Sequence, residues 1–301
     1  MKNKNSVFMK FMKNAKQNPV AMLLMTLVFI LLFVYSLTLI YPFVWAFFNS
    51  LKSNPEYWEN TMSLPKDWLF SNYIIAFTDV QAKTTNPFKT ANMIEMLINS
   101  IWYTAGGTFL GVLGSTMVAY TVARYDFFGK RLIYGLAVFV MIIPIVGSLP
   151  ASYKLVYSLG IANSPLYLIA TVGAFGMPFF VMSAFFGNVS WAYAEAAFIE
   201  GASNFRVFVD IMLPLAKPGF ITMFITSAIS RWNDYLTPML YLKDFPTLSA
   251  GLFDFQHSSR VASRMPVYFS AMLLMTLPII AVFIGFQETI MNNMSIGGLK
   301  G

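Results

Sequence analysis

"EAAFIEGASNFRVFVDIMLP", Glu195 to Pro214, is the stretch on which the reading of this chain turns. Two glutamates, an arginine and an aspartate fall within it, while the flanking sequence runs for long distances without charge. Either Glu195 and Glu200 are an acid/base pair, or the segment lies on a membrane surface, or it docks into a partner. A catalytic pair needs carboxylates that converge on one substrate. Five positions apart, these two point about 140° away from each other at ~3.6 residues per helical turn. Ala194, Ala197, Phe198, Gly201, Phe205, Phe208, Val209 and Met212 recur at three- and four-residue steps and trace one helical face. Glu195, Glu200, Ser203, Asn204, Arg206 and Asp210 fall mostly elsewhere. Small residues at Ala196, Ala197, Gly201 and Ala202 let another surface approach the backbone, which favours docking. Gly201 also permits a break between two short helices, and Pro214 closes the run.

The chain around this segment has too little charge to face water. Its 301 residues are 57% hydrophobic and 11% charged, with a mean hydropathy of +0.62; soluble domains carry about 25% charged residues. Lipid must solvate much of the exterior, so the expected fold is an all-α polytopic membrane protein. The net charge of +7 gathers before the first apolar run, at Lys2, Lys4, Lys10, Lys13 and Lys16. That placement matches the positive-inside bias and not a nucleic-acid footprint. The absence of cysteine excludes disulfides, thiolate metal sites and cysteine nucleophiles. The single histidine, His257, gives no basis for a metal centre.

A membrane-crossing helix needs ~20 predominantly apolar residues. Six spans are expected, at about 19–48, 96–123, 132–152, 165–186, 219–241 and 266–287, within a single transmembrane domain covering 1–301. The first run exceeds the ~7–15 apolar residues of a signal peptide. The fifth is less clean, because Arg231 and Asp234 interrupt it. Six crossings place both termini on the lysine-rich, cytoplasmic side, together with the turn Arg124–Arg131 and the opening segment between spans 4 and 5. Residues 52–95 and 243–264 then lie outside, although the second loop is weakly basic. Pro144, Pro150 and Pro178 are either gating kinks or static bends.

The spacing Glu-Ala-Ala, three residues, Gly, nine residues, Ile, one residue, Leu-Pro resembles the signature loop of permease subunits of binding-protein-dependent ABC importers. Other stretches narrow the resemblance to the carbohydrate branch, the maltose-permease-like small subunit. They are "YPFVWAFFNSLK", "NSIWYTAGG", "VAYTVARYDFFGKR", "MIIPIVGSLPASYKLVYSLGIANSPLYL", "WNDYLTPMLYL" and the closing "GGLKG". Glu200 departs from the branch's usual aspartate, and the first outer loop is lengthened around "VQAKTTNPFKTANM".

The resemblance implies a non-enzymatic transporter subunit in the bacterial cytoplasmic membrane. Its partners would be a second homologous permease subunit, two cytoplasmic ABC ATPase subunits and an extracytoplasmic sugar-binding protein. This chain has no Gly-x-x-x-x-Gly-Lys-Ser/Thr loop, so ATP and Mg belong to the ATPase subunits and no cofactor is expected here. The ATPase-coupling loop would comprise Glu195, Ala196, Ala197, Phe198, Gly201, Phe205, Ile211, Leu213 and Pro214. Phe198 and Phe205 would anchor the apolar contact. A loop tip at Gly251, Leu252, Phe253, Asp254, Phe255, Gln256 and His257 would reach the binding protein. The family's main sugar site lies chiefly in the partner permease. Arg231, Trp232, Asn233 and Asp234 are therefore pore candidates, or Arg231 and Asp234 form an i,i+3 ion pair within the helix. The alternative within transporters is a permease for a non-sugar solute, such as a glycerol phosphodiester or polyamine. A membrane-embedded enzyme is the other class. It would need a histidine metal motif, an aspartate pair or a nucleophile with its base.

Overall fold

The computed structural model describes residues 19–143 and 148–294. The N-terminal lysines, Pro144 and the "GGLKG" tail lie outside the described residues. Among the described residues three helices are long and apolar enough to cross a membrane: α1 (Pro19–Ser50), α4 (Met93–Arg124) and the last, α13 (Met265–Met294). Helix α4 sets the length of the molecule. It opens on a reciprocal cap, in which the Asn92 side chain accepts from the Glu95 N–H and Glu95 accepts from the Asn92 N–H. It closes with Arg124 in its last turn, where a cation complements the helix dipole. At 1.5 Å per residue, its 32 residues separate two ends of the molecule by about 48 Å.

One end is a cap of short elements: α2 (Asn54–Glu59), α3 (Ser71–Asp79), a hairpin of β1 (Ala82–Lys83) and β2 (Thr90–Ala91), and α12 (Leu248–Gln256). The hairpin pairs Ala82 with Ala91 and Lys83 with Thr90. With no disulfide available, polar contacts tie the cap together. Arg264 meets Asp79 at 3.3 Å, and the Trp58 indole donates to the Ala262 carbonyl at 2.9 Å. Lys52, a flanking loop charge by sequence, is fully buried instead. Its amine donates to the Asn60 carbonyl at 2.8 Å, and burial pushes it below the ordinary lysine value.

Between α4 and α13 the structure departs from the expected uninterrupted spans. Within the 132–152 span, α5 (Lys130–Ile142) and α6 (Ser148–Ser158) are helical, and residues 144–147 between them lie outside the described residues. The 165–186 span is a 3-10 turn, Pro165–Thr171, followed by α7 (Met177–Asn188). Gly176 at φ 120° and Pro178 at the helix start account for that break. The 219–241 span divides into α10 (Lys217–Trp232) and α11 (Leu236–Tyr241). Before α10 come α8 (Ala192–Ile199) and α9 (Asn204–Leu215). The axes of α9 and α10 differ by 76°.

Glycines on α4 let the irregular segment pack against it. A Cβ on Gly111 would lie 3.1 Å from the Thr171 carbonyl oxygen, and one on Gly114 3.1 Å from that of Gly173. Hydroxyls secure the same seam: Thr171 donates to the Gly107 carbonyl at 3.2 Å and Ser115 to the Gly173 carbonyl at 2.9 Å.

Candidate functional site

At the end of the molecule away from the cap, the Glu195–Pro214 segment forms two short helices joined by a glycine turn. The Gly201 N–H donates to Phe198 O at 3.0 Å and the Ala202 N–H to Ala197 O at 2.9 Å. With Gly201 at φ 84°, this is a Schellman closure of α8. The Ser203 hydroxyl then accepts from the Arg206 N–H and opens α9. Glu195 lies in the first turn of α8 and Glu200 is its C-cap, so the two carboxylates sit at opposite ends of one short helix. Among the described residues no group of three or more His, Cys, Asp or Glu side chains is placed to hold a metal ion.

The inward face of this segment is fixed by packing. Ala194, Ala197, Val207, Phe208 and Met212 are buried with Tyr120 and Phe186. The turn after α4 holds it from the other side. The Arg124 guanidinium donates to the Val189 carbonyl and lies 5.7 Å from the Trp191 ring centroid. The Tyr125 hydroxyl donates to Asn204 Oδ1 at 3.1 Å.

The outward face differs from the one drawn from periodicity. Phe198 packs against the core beside Trp191, while Phe205 is 68% exposed and Val209 is also exposed. The Gly201 turn interrupts the helical net, and a π turn at Phe208–Met212 shifts the register again, so one 3.6-residue period cannot describe the segment. Ile199, 87% exposed, is the apolar residue that the sequence reading missed. It stands four residues after Glu195, on the stripe taken as polar. Glu195, Ala196 and Gly201 share the exposed surface; Ile211 and Leu213 are half-buried, and Pro214 is exposed.

A polar cavity of about 600 Å³ opens beside the break between α10 and α11. The four pore candidates separate here. Arg231 and Asp234 line the cavity. Trp232 is buried on another face, where its indole donates to the Met275 carbonyl at 3.2 Å and its ring lines a separate apolar cavity. Asn233 is exposed and returns its amide to the Ile229 carbonyl. The alternative i,i+3 ion pair does not form; among the described residues Arg231 joins no ion pair. Its guanidinium lies 5.3 Å from the Tyr103 ring centroid and fills the space where Gly107 lacks a side chain. Asp234 instead accepts from the Tyr103 hydroxyl at 3.0 Å and the Thr237 N–H at 3.1 Å. Tyr103 and Gly107, both on α4, were missed by sequence reading, which tied no α4 residue to Arg231 or Asp234.

The stretch expected to be a protruding tip is the helix α12. Gly251, Leu252 and Phe255 are buried in the cap, where the Met96 side chain occupies the space above Gly251. Asp254 accepts from the Lys83 N–H at 3.4 Å. Gln256 and His257 remain exposed. Phe253 is stacked on Tyr235 at 4.4 Å and against the His257 ring at 4.1 Å, which links the cap to the residue following Asp234.

Comparison with known proteins follows the same outline. Residues 111–295 match the family described as "Binding-protein-dependent transport system inner membrane component". The diacetylchitobiose uptake system permease protein of Streptomyces coelicolor is 30% identical, over 90% of this chain and 87% of its own length. The arabinooligosaccharides transport system permease protein of Bacillus subtilis is 26% identical, over 96% of this chain and 100% of its own. A chain of a bacterial ABC transporter involved in alginate import superposes with a TM-score of 0.73 at 23% identity, covering 88% of this chain and 96% of that one. At that identity it speaks for the fold.

Proposed function

From the premise that this chain belongs to the binding-protein-dependent transport system inner membrane components, and is thus a non-enzymatic permease subunit of an ABC importer, we propose that it carries a sugar or oligosaccharide. It forms one half of the translocation pathway beside a second, homologous permease. Two ATPase subunits supply ATP and Mg, and an extracytoplasmic protein delivers the solute. Relatives named for diacetylchitobiose and arabinooligosaccharides support the substrate class. A similar chain solved in complex with an alginate pentasaccharide-bound periplasmic protein, at a TM-score of 0.54, supports the delivering partner. Counting each broken segment as one crossing gives six, with both termini on the cytoplasmic side of a bacterial inner membrane.

The observation that carries the mechanism is the Schellman-closed helix α8. It offers Glu195, Ala196, Ile199 and Gly201 outward while its other face is locked into this chain's core. An ATPase groove closing on that surface would displace α8 as a rigid body, and the motion would pass into the spans and alternate the access of the pathway. Gly201→Asp tests this. A Cβ at Gly201 meets nothing within 4 Å in this chain, and its φ of 84° adds a left-handed backbone penalty of only about 1–2 kcal/mol, so folding and assembly with the partner permease are expected to survive. Uptake and substrate-stimulated ATP hydrolysis by the reconstituted complex are expected to be lost. Undiminished uptake by that variant would sink the coupling role.

A further inference from the structure

We propose that this chain itself holds a saccharide subsite, in the polar cavity at the α10–α11 break, and that the charge balance there selects an uncharged, polyhydroxylated solute. The inference rests on the sugar-importer reading and deepens it, because the resemblance places the main sugar site chiefly in the partner permease. The cavity, at about 600 Å³, lies within the ~300–1,000 Å³ typical of ligand sites. Arg231 presents a planar fork of donors and Asp234 an acceptor, one helical turn apart, and both are preorganised. Tyr103 underlies the guanidinium and also holds the carboxylate. Ser227, Ser230 and Thr237 line the same space with hydroxyls that no other described residue engages. Donors, acceptors and unengaged hydroxyls in one recess complement a ring of sugar hydroxyls, each of which both donates and accepts.

The charges argue against the two non-sugar solutes. A polyamine needs several carboxylates, but among the described residues Asp234 is the one carboxylate lining the cavity, beside the cationic Arg231. Asp234 also already accepts two hydrogen bonds. A phosphodiester would find one guanidinium and, a turn away, a repelling carboxylate. A neutral saccharide meets neither penalty. Ionisable groups inside a membrane segment are costly and are retained where they serve a pathway.

The test uses the assembled complex with its partner permease and ATPase subunits. Saturation-transfer NMR is recorded without the delivering protein, with trehalose, diacetylchitobiose and arabinotriose as neutral probes and digalacturonate, spermidine and glycerophosphocholine as charged ones. Uptake of the same solutes is measured in proteoliposomes with the delivering protein present. Wild type is expected to transfer saturation to a neutral saccharide. Arg231→Gln should weaken that affinity by about tenfold, as loss of one charge-assisted hydrogen bond does. Ser230→Trp, at an exposed position that fills the cavity, should abolish it. Asp234→Asn, which leaves an excess positive charge, should shift preference toward digalacturonate, a change that a purely structural role would not produce. Ser230→Trp serves if Arg231→Gln fails to assemble. A neutral-saccharide signal unchanged in both Ser230→Trp and Arg231→Gln would overturn the subsite while leaving the importer reading intact. Wild-type uptake and signal confined to spermidine or glycerophosphocholine would overturn both.

Discussion

Among the glycines of this chain, identical residue types do different physical work. Gly201 is needed for its backbone, at φ 84° with open space where a side chain would go. Gly219 is needed for its lack of volume, since a Cβ there would lie 2.6 to 2.9 Å from three atoms of the Phe185 ring. The two therefore predict opposite phenotypes. Gly219→Ala should destabilise the purified complex by about 1–3 kcal/mol through overpacking, read from chemical denaturation, because the half-buried Phe185 ring has to shift to admit the methyl group. Gly201→Ala should cost only the left-handed backbone penalty of about 1–2 kcal/mol, with its larger effect on coupling. The sequence identified Gly201 because its use is local and leaves a spaced signature. Gly219 and Gly107 escaped notice, since what they make room for comes from distant parts of the chain.

At the scale of elements, legibility followed the kind of signal each one leaves. Helices α1, α4 and α13 announce themselves by uninterrupted apolar length, and the structure places them within a few residues of expectation at most ends. The expected 165–186 and 219–241 spans read as continuous stretches in the sequence, which merges pieces that Gly176, Pro178 and Asp234 separate. The cap hairpin was invisible for another reason: its strands are two residues each, and it is held by side chains distant in sequence. Asp244 is the centre of that clamp, accepting from the Thr85 hydroxyl and N–H and from the Asn163 amide. The Thr85 hydroxyl, followed by its N–H, the Asn163 amide and Lys89, holds the carboxyl below its ordinary value against the opposing effect of burial. A depressed carboxylate contributes stability that is present above the unfolded value of about 4 and lost as pH falls through the lower folded one. Asp244→Asn should therefore loosen the hairpin at neutral pH by about 0.5–1.5 kcal/mol, seen as faster amide exchange at Thr85. In wild type the same loosening should begin only below about pH 4. Equal exchange in both proteins at neutral pH would remove Asp244 from the clamp.

At the scale of the whole molecule, the absence of cysteine becomes a tool for testing the proposed topology, because every introduced thiol is read against no background. Phe88, 98% exposed at the hairpin turn, and Gln256 mark one end; Phe128 and Ile199 mark the other. A membrane-impermeant maleimide should label Phe88→Cys and Gln256→Cys in intact cells, and Phe128→Cys and Ile199→Cys only after permeabilisation. Labelling of all four from outside would contradict the six-span arrangement. The 76° corner between α9 and α10 gives that arrangement a mechanical character of its own. One arm begins beside the outward-facing helix α8 and the other ends at Arg231 and the polar cavity, and Ala216, fully buried, forms the corner. At 1.5 Å per residue the arms are roughly 18 and 24 Å long. A stiff corner makes them a bell crank, turning a push at one tip into a transverse stroke at the other. Under the proposed coupling, tilting it by about 10° would move the tips by roughly 3 and 4 Å, so the gearing would be near unity: the stroke reaching the cavity would be set by the stroke received at α8, with little amplification or loss.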